Sequence, residues 1–230
     1  MLAQPVAAPA WQFWRYKQPA IVLGCAQRAD QQRLLAAPGG PPMEVLLRDS
    51  GGGAVLIGPW MMGLSLALPL GHPWLARGLV DSYRPLGQLC AAALDEQALG
   101  VQALAPQDIP AIQAMFELRG LPALDWACFG KLSPWEVVDV QGRKIVGLAQ
   151  RRRQTGVLMV AGLLLEEPPW ERLCEALGHG EQSSLLPRRT GSVAALGGGV
   201  AARERLQGVL QHALTRCLGD AERAEVTALD

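Results

Sequence analysis

An excess of charge of either sign is missing from this 230-residue chain. Lys plus Arg and Asp plus Glu both number 21, so the formal net charge is zero. Binding to the phosphate backbone of nucleic acids needs clustered Lys and Arg, and the basic runs here are only Arg151–Arg153 and Arg188-Arg189. We therefore expect no nucleic-acid partner, and recognition by shape and a local site.

Paired cysteines are also lacking. The cysteines are five in number and scattered, with no Cys-x-x-Cys pair, and the histidines His72, His179 and His212 lie in unrelated segments. This spacing argues against a structural zinc site, any other metal site and a disulfide framework. Free thiols are typical of a reducing compartment.

No uninterrupted membrane-spanning run is present. The apolar segment 54–71 is broken at Gly58-Pro59, Gly63 and Pro69. Residues 1–11 carry no basic leader, so we expect no signal peptide. The segment is interpreted as buried strand and turn in a cytoplasmic protein without a membrane partner.

Half of the residues are hydrophobic, which is ample for a buried core, and the length fits a single domain over residues 1–230. The patterns predict one mixed α/β domain with a central sheet and flanking helices. Strands are predicted within 11–27 (two, separated at Gln18-Pro19) and over 43–48, 54–57, 135–140, 143–150 and 156–165. Helices are predicted within 72–100 (with a kink or a boundary at Pro85) and 106–120 and over 200–219, and a loop over 28–43.

Three consecutive glycines, Gly51, Gly52 and Gly53, follow Arg48 and Ser50 between two predicted strands. Glycine lets backbone N–H groups approach a ligand closely, and a neighbouring guanidinium would complete an anion cradle. The alternative is a tight or bulged turn that needs glycine only for its geometry. Neither a phosphate-loop nor a dinucleotide-binding pattern follows. The residues alone leave both interpretations open.

Three motifs occur in order along residues 11 to about 165. They are Gly-x-x-Gln at Gly24 and Gln27; Arg-x-Ser-Gly-Gly-Gly-x-Val from Arg48 to Val55; and Gly-x-Lys-Ile-x-Gly-x-Ala-Gln-x-Arg from Gly142 to Arg152. In this order they resemble the lipoate–protein ligase and octanoyltransferase family, whose catalytic domain also resembles biotin–protein ligase.

The resemblance implies a mixed α/β (α+β) fold with a central, mostly antiparallel sheet flanked by helices, as in class II aminoacyl-tRNA synthetases and biotin synthetases. It also implies a substrate site that includes Arg48, Ser50, Gly51, Gly52, Gly53, Gly147 and Gln150.

Lys144 and Cys128 are the catalytic candidates. The resemblance implies that Lys144 contacts the acyl carbonyl or an adenylate, and a cation on a strand can polarise a carbonyl oxygen. Cys128 begins a stretch that resembles the family's "CFxxxSxxE" pattern, with Phe129, Ser133 and Glu136. A thiolate suits transfer from a thioester. The alternatives are an ordinary edge-strand charge for Lys144 and a buried structural thiol for Cys128. We interpret the other four cysteines, Cys25, Cys90, Cys174 and Cys217, as structural.

The chain departs from the family at two histidine positions. Ile57-Gly58 stands where members usually have His-Asp after the glycines, and Val160 stands where they usually have the histidine of His-Gly-Ser or His-Gly-Thr. Both changes make the expected pocket more apolar and less suited to a charged nucleotide.

The resemblance, with these departures, predicts transfer of an octanoyl or lipoyl group to a lysine of a lipoyl-domain protein. Cys128 would take the acyl group from an acyl carrier protein as donor, and no tightly bound cofactor is expected. One alternative is an ATP- and magnesium-dependent lipoate ligase that forms a lipoyl-adenylate. The other is a non-catalytic member that binds an acyl group or an acylated partner.

Overall fold

A computed structural model describes residues 1–198, 202–219 and 227–229. The strands are β1 (Ala10–Tyr16), β2 (Ala20–Leu23), β3 (Glu44–Leu47), β4 (Val55–Ile57), β5 (Met61–Leu68), β6 (Val101–Ala103), β7 (Val137–Asp139), β8 (Lys144–Arg153), β9 (Gly156–Leu164) and β10 (Thr227–Leu229). The α-helices are α1 (Arg28–Leu35), α2 (Gly78–Asp81), α3 (Arg84–Asp95), α4 (Ile109–Leu118), α5 (Trp170–Leu177), α6 (Leu186–Arg189) and α7 (Ala202–Leu218). Short 3₁₀ helices lie at Pro73–Leu75, Pro106–Asp108, Cys128–Gly130, Gly180–Gln182 and Ala194–Leu196.

The strands form two sheets. The larger has the order β10-β1-β5-β9-β8-β7-β6, and the smaller has the order β3-β2-β4. Every neighbouring pair of the larger sheet is antiparallel except β1 with β10. In the smaller sheet β2 runs parallel to β3 and antiparallel to β4. The expectation of a mixed fold with a central, mostly antiparallel sheet is confirmed.

The larger sheet is covered on both faces. Helices α3 and α7 pack on one face, where their buried leucines join the apolar side chains of β5, β8 and β9 in one cluster. The smaller sheet, α5 and the 3₁₀ turn at Cys128–Gly130 contribute to a second cluster with Met61 and Leu164. Strand β5 is buried along its whole length because it lies inside the larger sheet between these two layers.

The apolar run 54–71 forms β4, a turn at Gly58-Pro59 and β5, as predicted from its interruptions. In the part of the chain that the structure describes, no helix is long and apolar enough to span a membrane. The predicted strands β7, β8 and β9 form an antiparallel meander, with Gly142 in the first turn.

The helical predictions within 72–100 and 106–120 are refined. Pro85 lies in the first turn of α3, where a missing N–H costs nothing, so it marks a boundary and not a kink. Helix α4 ends just before Gly120, which has φ +68°. The predicted helix 200–219 is α7, although residues 200 and 201 lie outside the described ranges.

The prediction of a loop over 28–43 is wrong for its first half, which forms α1. The helix is polar and buries only Leu34, so its hydrophobic periodicity is weak. The position of α1 is fixed by contacts with another helix, since the Arg33 guanidinium donates to the carbonyls of Ala176 and Leu177 at the end of α5. Strand β6 and helix α5 were not predicted, and both are short.

Candidate active site

A cavity of about 550 Å³ lies between the two sheets. Its volume is typical of small-molecule sites. Its walls are mostly apolar, and its polar groups include a thiol, hydroxyls and arginines near the glycine loop. The residues that line it include Leu2, Trp14, Tyr16, Val22, Leu46, Arg48, Asp49, Ser50, Val55, Ile57, Met61, Ser65, Cys128, Phe129, Gly147, Gln150, Arg151, Arg153, Leu158, Val160 and Gly162.

The floor of the cavity has a row of glycines across three adjacent strands. Gly147 of β8 pairs with Gly162 of β9, which in turn pairs with Gly63 of β5. Residues directly opposite each other on neighbouring strands project to the same face of a sheet. Gly147 and Gly162 line the cavity and leave a shallow track perpendicular to the strands, whereas Gly63, at the end of the row, is covered by Tyr16.

The next row along the floor contains Ser65, Val160 and Ala149, again in register on β5, β9 and β8. Trp14 of β1 covers this end of the floor, and its indole Nε1 donates to Ser65 Oγ at 2.9 Å. Tyr16 lies beside it, and burial raises the pKa of its phenol to about 12. Both aromatic side chains close the cavity on the β1 side.

Cys128 lies on the opposite wall, at the start of its 3₁₀ turn, and is half-buried. Its N–H donates to the carbonyl of Ala54 at 2.7 Å, next to the glycine loop. Its carbonyl accepts from Lys144 Nζ at 2.6 Å. The backbone of Cys128 is therefore held on both sides while the residue lines the cavity.

Lys144 is 1% exposed at the start of β8, an interior strand, so the interpretation as an edge-strand charge is wrong. Besides the Cys128 carbonyl, Nζ contacts Glu136 Oε1 at 2.6 Å and the carbonyl of Lys131 at 3.0 Å. These partners match the three donors of an ammonium group. Lys144 thus lies beneath the Cys128 segment and is not one of the residues that line the cavity. Its contact with an acyl carbonyl stays a prediction.

Glu136 completes this buried cluster. Its Oε2 accepts from the N–H of Ser133 at 2.7 Å, and its Oε1 accepts from the N–H of Leu148 at 3.2 Å. Burial raises the pKa of the Glu136 carboxyl, and the Lys144 ammonium opposes that rise. The Ser-x-x-Glu spacing therefore folds the segment after Cys128 and brings a carboxylate to Lys144.

Hydrogen bonds from the Arg48 side chain hold the conformation of the glycine loop. The Arg48 guanidinium donates to the carbonyls of Gly51 and Gly53, at 3.0 and 2.9 Å from its NH2. Gly52 has φ +97°, and a Cβ there would lie 2.8 Å from the same nitrogen. The turn geometry accounts for Gly52 without a ligand. Within the described residues, however, the N–H groups of Gly51, Gly52 and Gly53 donate no hydrogen bond.

The first motif joins the same assembly. The Gln27 side chain accepts from the N–H of Gly24 at 3.1 Å and donates to the carbonyl of Trp126 at 3.2 Å. A Cβ at Gly53 would lie 2.5 Å from that Trp126 oxygen, so only glycine fits. The first two motifs thus meet because strand β2, the glycine loop and the segment before Cys128 are packed backbone to backbone.

Charged residues at the rim of the cavity were missed by the sequence interpretation. Asp49 accepts from Arg153 NH2 at 2.7 Å, and Arg151 donates to the backbone carbonyl of Asp49. These contacts tie the glycine loop to β8. Arg151 and Arg153 alternate along the strand and share a face, a signal already present in the run of three arginines.

Gln150 also lines the cavity, although its side-chain amide bonds outside it. The amide donates to the carbonyl of Leu79 at 3.0 Å and contacts Ser82, which also accepts from Arg152 at 3.1 Å. This network ties β8 to helix α2.

Of the predicted site residues, the structure brings Cys128, Arg48, Ser50, Gly147 and Gln150 to the cavity wall. Gly51, Gly52, Gly53 and Lys144 lie next to these but do not line the wall. Ile57 and Val160, at the two departing positions, both line the cavity and make it apolar there.

Other candidate groups are few. Across residues 1–198, 202–219 and 227–229, no three His, Cys, Asp or Glu side chains are grouped so as to hold a metal ion. Cys90 and Cys174 are buried, and burial raises the pKa of their thiols to about 12 and about 11. Cys25 and Cys217 are exposed.

Comparisons with known proteins agree with this geometry. Residues 3–215 match the family profile of the lipoyl protein ligase A/B catalytic domain. The curated octanoyltransferase LipM of Carboxydothermus hydrogenoformans is 26% identical over 159 residues, which are 69% of this chain and 54% of that protein. The chain thus spans about half the length of this curated relative.

Solved structures share the fold. A lipoate-protein ligase A bound with ATP superposes with a TM-score of 0.62 at 14% identity, covering 99% of this chain and 78% of the other. The putative lipoate protein ligase Ta0514 of T. acidophilum, with bound lipoic acid, has a TM-score of 0.61 at 16% identity, covering 97% and 78%. A bipartite lipoate protein ligase from Thermoplasma acidophilum, described with its E2 lipoyl domain, has a TM-score of 0.61 at 15% identity, covering 99% and 77%.

Proposed function

The chain belongs to the lipoyl protein ligase A/B catalytic domain family, and from this premise we propose that it is a protein acyltransferase that works through Cys128. The acyl group would be octanoyl or lipoyl, and the acceptor a lysine of a lipoyl-domain protein. The observation that carries the proposal is the position of Cys128, which lines an apolar cavity and has its backbone fixed on both sides.

The chemistry follows from the thiol. The Cys128 thiolate attacks the thioester carbonyl of an acylated carrier protein, the carrier thiol leaves, and the acyl group is held as a thioester on Cys128. The amine of the acceptor lysine then attacks this thioester, an amide forms, and the Cys128 thiol leaves with the proton that the amine gives up. Each step exchanges one acyl bond for another and needs no nucleotide.

Lys144 acts in this proposal from beneath Cys128. Its Nζ holds the Cys128 carbonyl at 2.6 Å and so fixes the backbone that carries the thiol against the cavity. Arg48 shapes the glycine loop, and Ser50, Gly147 and Gln150 form parts of the wall that would contact the acyl group.

Two observations favour the transferase over an ATP-dependent ligase. Arg48 and Lys144, the cations that a lipoyl-adenylate would use, are already bonded to internal partners. Ile57 and Val160 put apolar side chains where the family usually has histidine. A nucleotide phosphate would therefore find few free polar partners in this cavity.

One observation favours the ligase as the second candidate. The free N–H groups of Gly51, Gly52 and Gly53, within the part of the chain that is described, form the kind of turn that binds phosphate or carboxylate oxygens. Under this alternative, ATP and magnesium would be substrates of lipoate activation. The relative that was solved with ATP shares the fold at 14% identity, which does not decide between the two reactions.

The test is intact-protein mass spectrometry after incubation with octanoyl-acyl carrier protein. We expect an octanoyl adduct on the native chain that hydroxylamine removes, and none on Cys128→Ala. The matched control is Cys217→Ala, which removes an exposed thiol on α7, away from the cavity, and should leave the adduct unchanged.

Absence of an adduct on the native chain would contradict the cysteine mechanism. Lipoate with ATP and magnesium then separates the remaining functions: modification of a lipoyl domain would indicate the ligase, and acyl binding without turnover would indicate a non-catalytic member.

A further inference from the structure

The glycine row has two ends of different chemistry. At the β8 end, a Cβ on Gly147 would lie 3.3 Å from the ring of Phe129, the residue that follows Cys128. The row then crosses Gly162 and ends at Gly63, which is paired with Trp14 of β1. Neighbouring strands are about 4.8 Å apart, so the row extends about 10 Å from the β8 end to β5.

Tyr16 closes the far end of this row. A Cβ on Gly63 would lie 2.4 Å from the Tyr16 hydroxyl oxygen, so the tip of the phenol occupies the space above this glycine. The hydroxyl has no hydrogen-bond partner among the described residues. The phenol therefore closes the end of the track.

We propose that Tyr16 sets the length of the acyl chain that the cavity accepts. The inference rests on the proposed function, in which an acyl group attached at Cys128 enters the cavity. Its chain would lie over Gly147 and Gly162, which line the cavity between the flanking side chains of Phe129 and Met61, and would end against the Tyr16 ring above Gly63.

The expected effect of removing the ring follows from strand geometry. Opening the row by one strand spacing, about 4.8 Å, makes room for roughly three to four more carbon atoms, since a carbon–carbon bond is about 1.5 Å. Each additional buried methylene tightens binding about fourfold. Affinity should therefore rise with chain length until the track is full, and the length at which it stops rising reports the position of the barrier.

The experiment measures the affinity of saturated fatty acids from hexanoate to tetradecanoate by isothermal titration calorimetry, below their micelle concentrations. For the native chain we expect affinity to rise and then level off. For Tyr16→Ala we expect the levelling point to move by about three to four carbons. Tyr16→Phe keeps the ring and should level off where the native chain does.

Leu158→Ala is the matched control, because it enlarges the same cavity away from the glycine row and should not move the levelling point. Tyr16→Leu is a milder second variant, in case Tyr16→Ala does not fold, and should also move it to longer chains. An unchanged levelling point in both folded Tyr16 variants overturns the inference but not the proposed function. Failure of the native chain to bind any of the fatty acids also overturns the inference, whereas the proposed function is decided separately by the octanoyl adduct on Cys128.

Discussion

Replacing Lys144 by methionine should destabilise the protein strongly at neutral pH and less so in mild acid. In the native chain, the Lys144 ammonium contacts Glu136 Oε1 at 2.6 Å and two carbonyl oxygens at 2.6 and 3.0 Å, with both side chains almost fully buried. Removal of one partner of such a pair costs about 3–5 kcal/mol, because the other charge remains buried. In Lys144→Met, Glu136 would keep only the N–H groups of Ser133 and Leu148.

The pH dependence follows from the pKa of Glu136. Burial already raises this pKa, and the loss of Lys144 removes the main influence that lowers it. A carboxyl whose pKa is raised in the folded state binds a proton there that the unfolded state has lost, so stability falls as pH rises through that window. The slope is at most about 1.4 kcal/mol per pH unit above the unfolded pKa of about 4.3. The variant should therefore lose less stability relative to the native chain at pH 5.5 than at pH 7.

The assay is urea unfolding followed by tryptophan fluorescence at several pH values. Lys131→Met is the matched control, since Lys131 is exposed and pairs with the exposed Asp125, a contact worth about 0–1 kcal/mol. Lys144→Met/Glu136→Gln should lose the excess pH dependence. A Lys144→Met variant as stable as Lys131→Met, or one with the native pH profile, would refute the reasoning.

Two further predictions concern the glycine loop and the cavity phenol. Gly53→Ala places a Cβ against the Trp126 carbonyl and Gly52→Ala places one at φ +97°, so each should lower the free energy of unfolding by about 1–3 kcal/mol. Gly51→Ala has open space around it and should change that free energy by less than about 0.5 kcal/mol. Equal effects of the three variants in urea unfolding would contradict the packing argument. The chain has two tyrosines, so ultraviolet titration can resolve the Tyr16 phenol, whose pKa should be about 12. This transition should be absent from Tyr16→Phe, while the pKa of Tyr83 should lie above its usual value. Because this raised pKa belongs to the folded state, the stability it contributes is present below pH 10 and lost as pH rises toward 12; a normal Tyr16 titration would show that the phenol is not buried.

Elements with a strong local signal could be predicted from the sequence. The β7–β9 meander has β-branched runs and a glycine turn, and its pairing was predicted correctly. Helix α1 was not predicted, because its one buried side chain, Leu34, gives almost no periodicity and its position depends on carbonyls of a distant helix. Local pattern therefore predicts the longer elements and fails for short helices, both for α1, which is held by another helix, and for α5, which buries four of its eight residues.

The candidate site likewise contains residues that sequence motifs identify and residues that only the fold places there. Cys128, Arg48 and Gly147 were named from motifs, and the structure brings them to one cavity. Tyr16 has no motif, and its position above Gly63 depends on strand register over 47 residues of chain. The internal partners of Lys144 could not be predicted either, since two of them are backbone carbonyls, which every residue has.

The glycine row also has a consequence for engineering. Glycine inside a strand costs about 0.5–1 kcal/mol relative to a residue with a side chain, and here Gly63, Gly162 and Gly147 lie side by side in the middle of the larger sheet. A stability screen would therefore favour larger residues at Gly162, where the nearest atom to an added Cβ is the flexible Met61 sulfur at 3.3 Å. Such substitutions would fill the track. Selection for thermal stability alone should therefore yield more stable proteins whose cavity no longer has room for the ligand. In this chain, stability and ligand binding would oppose each other at a single row of residues.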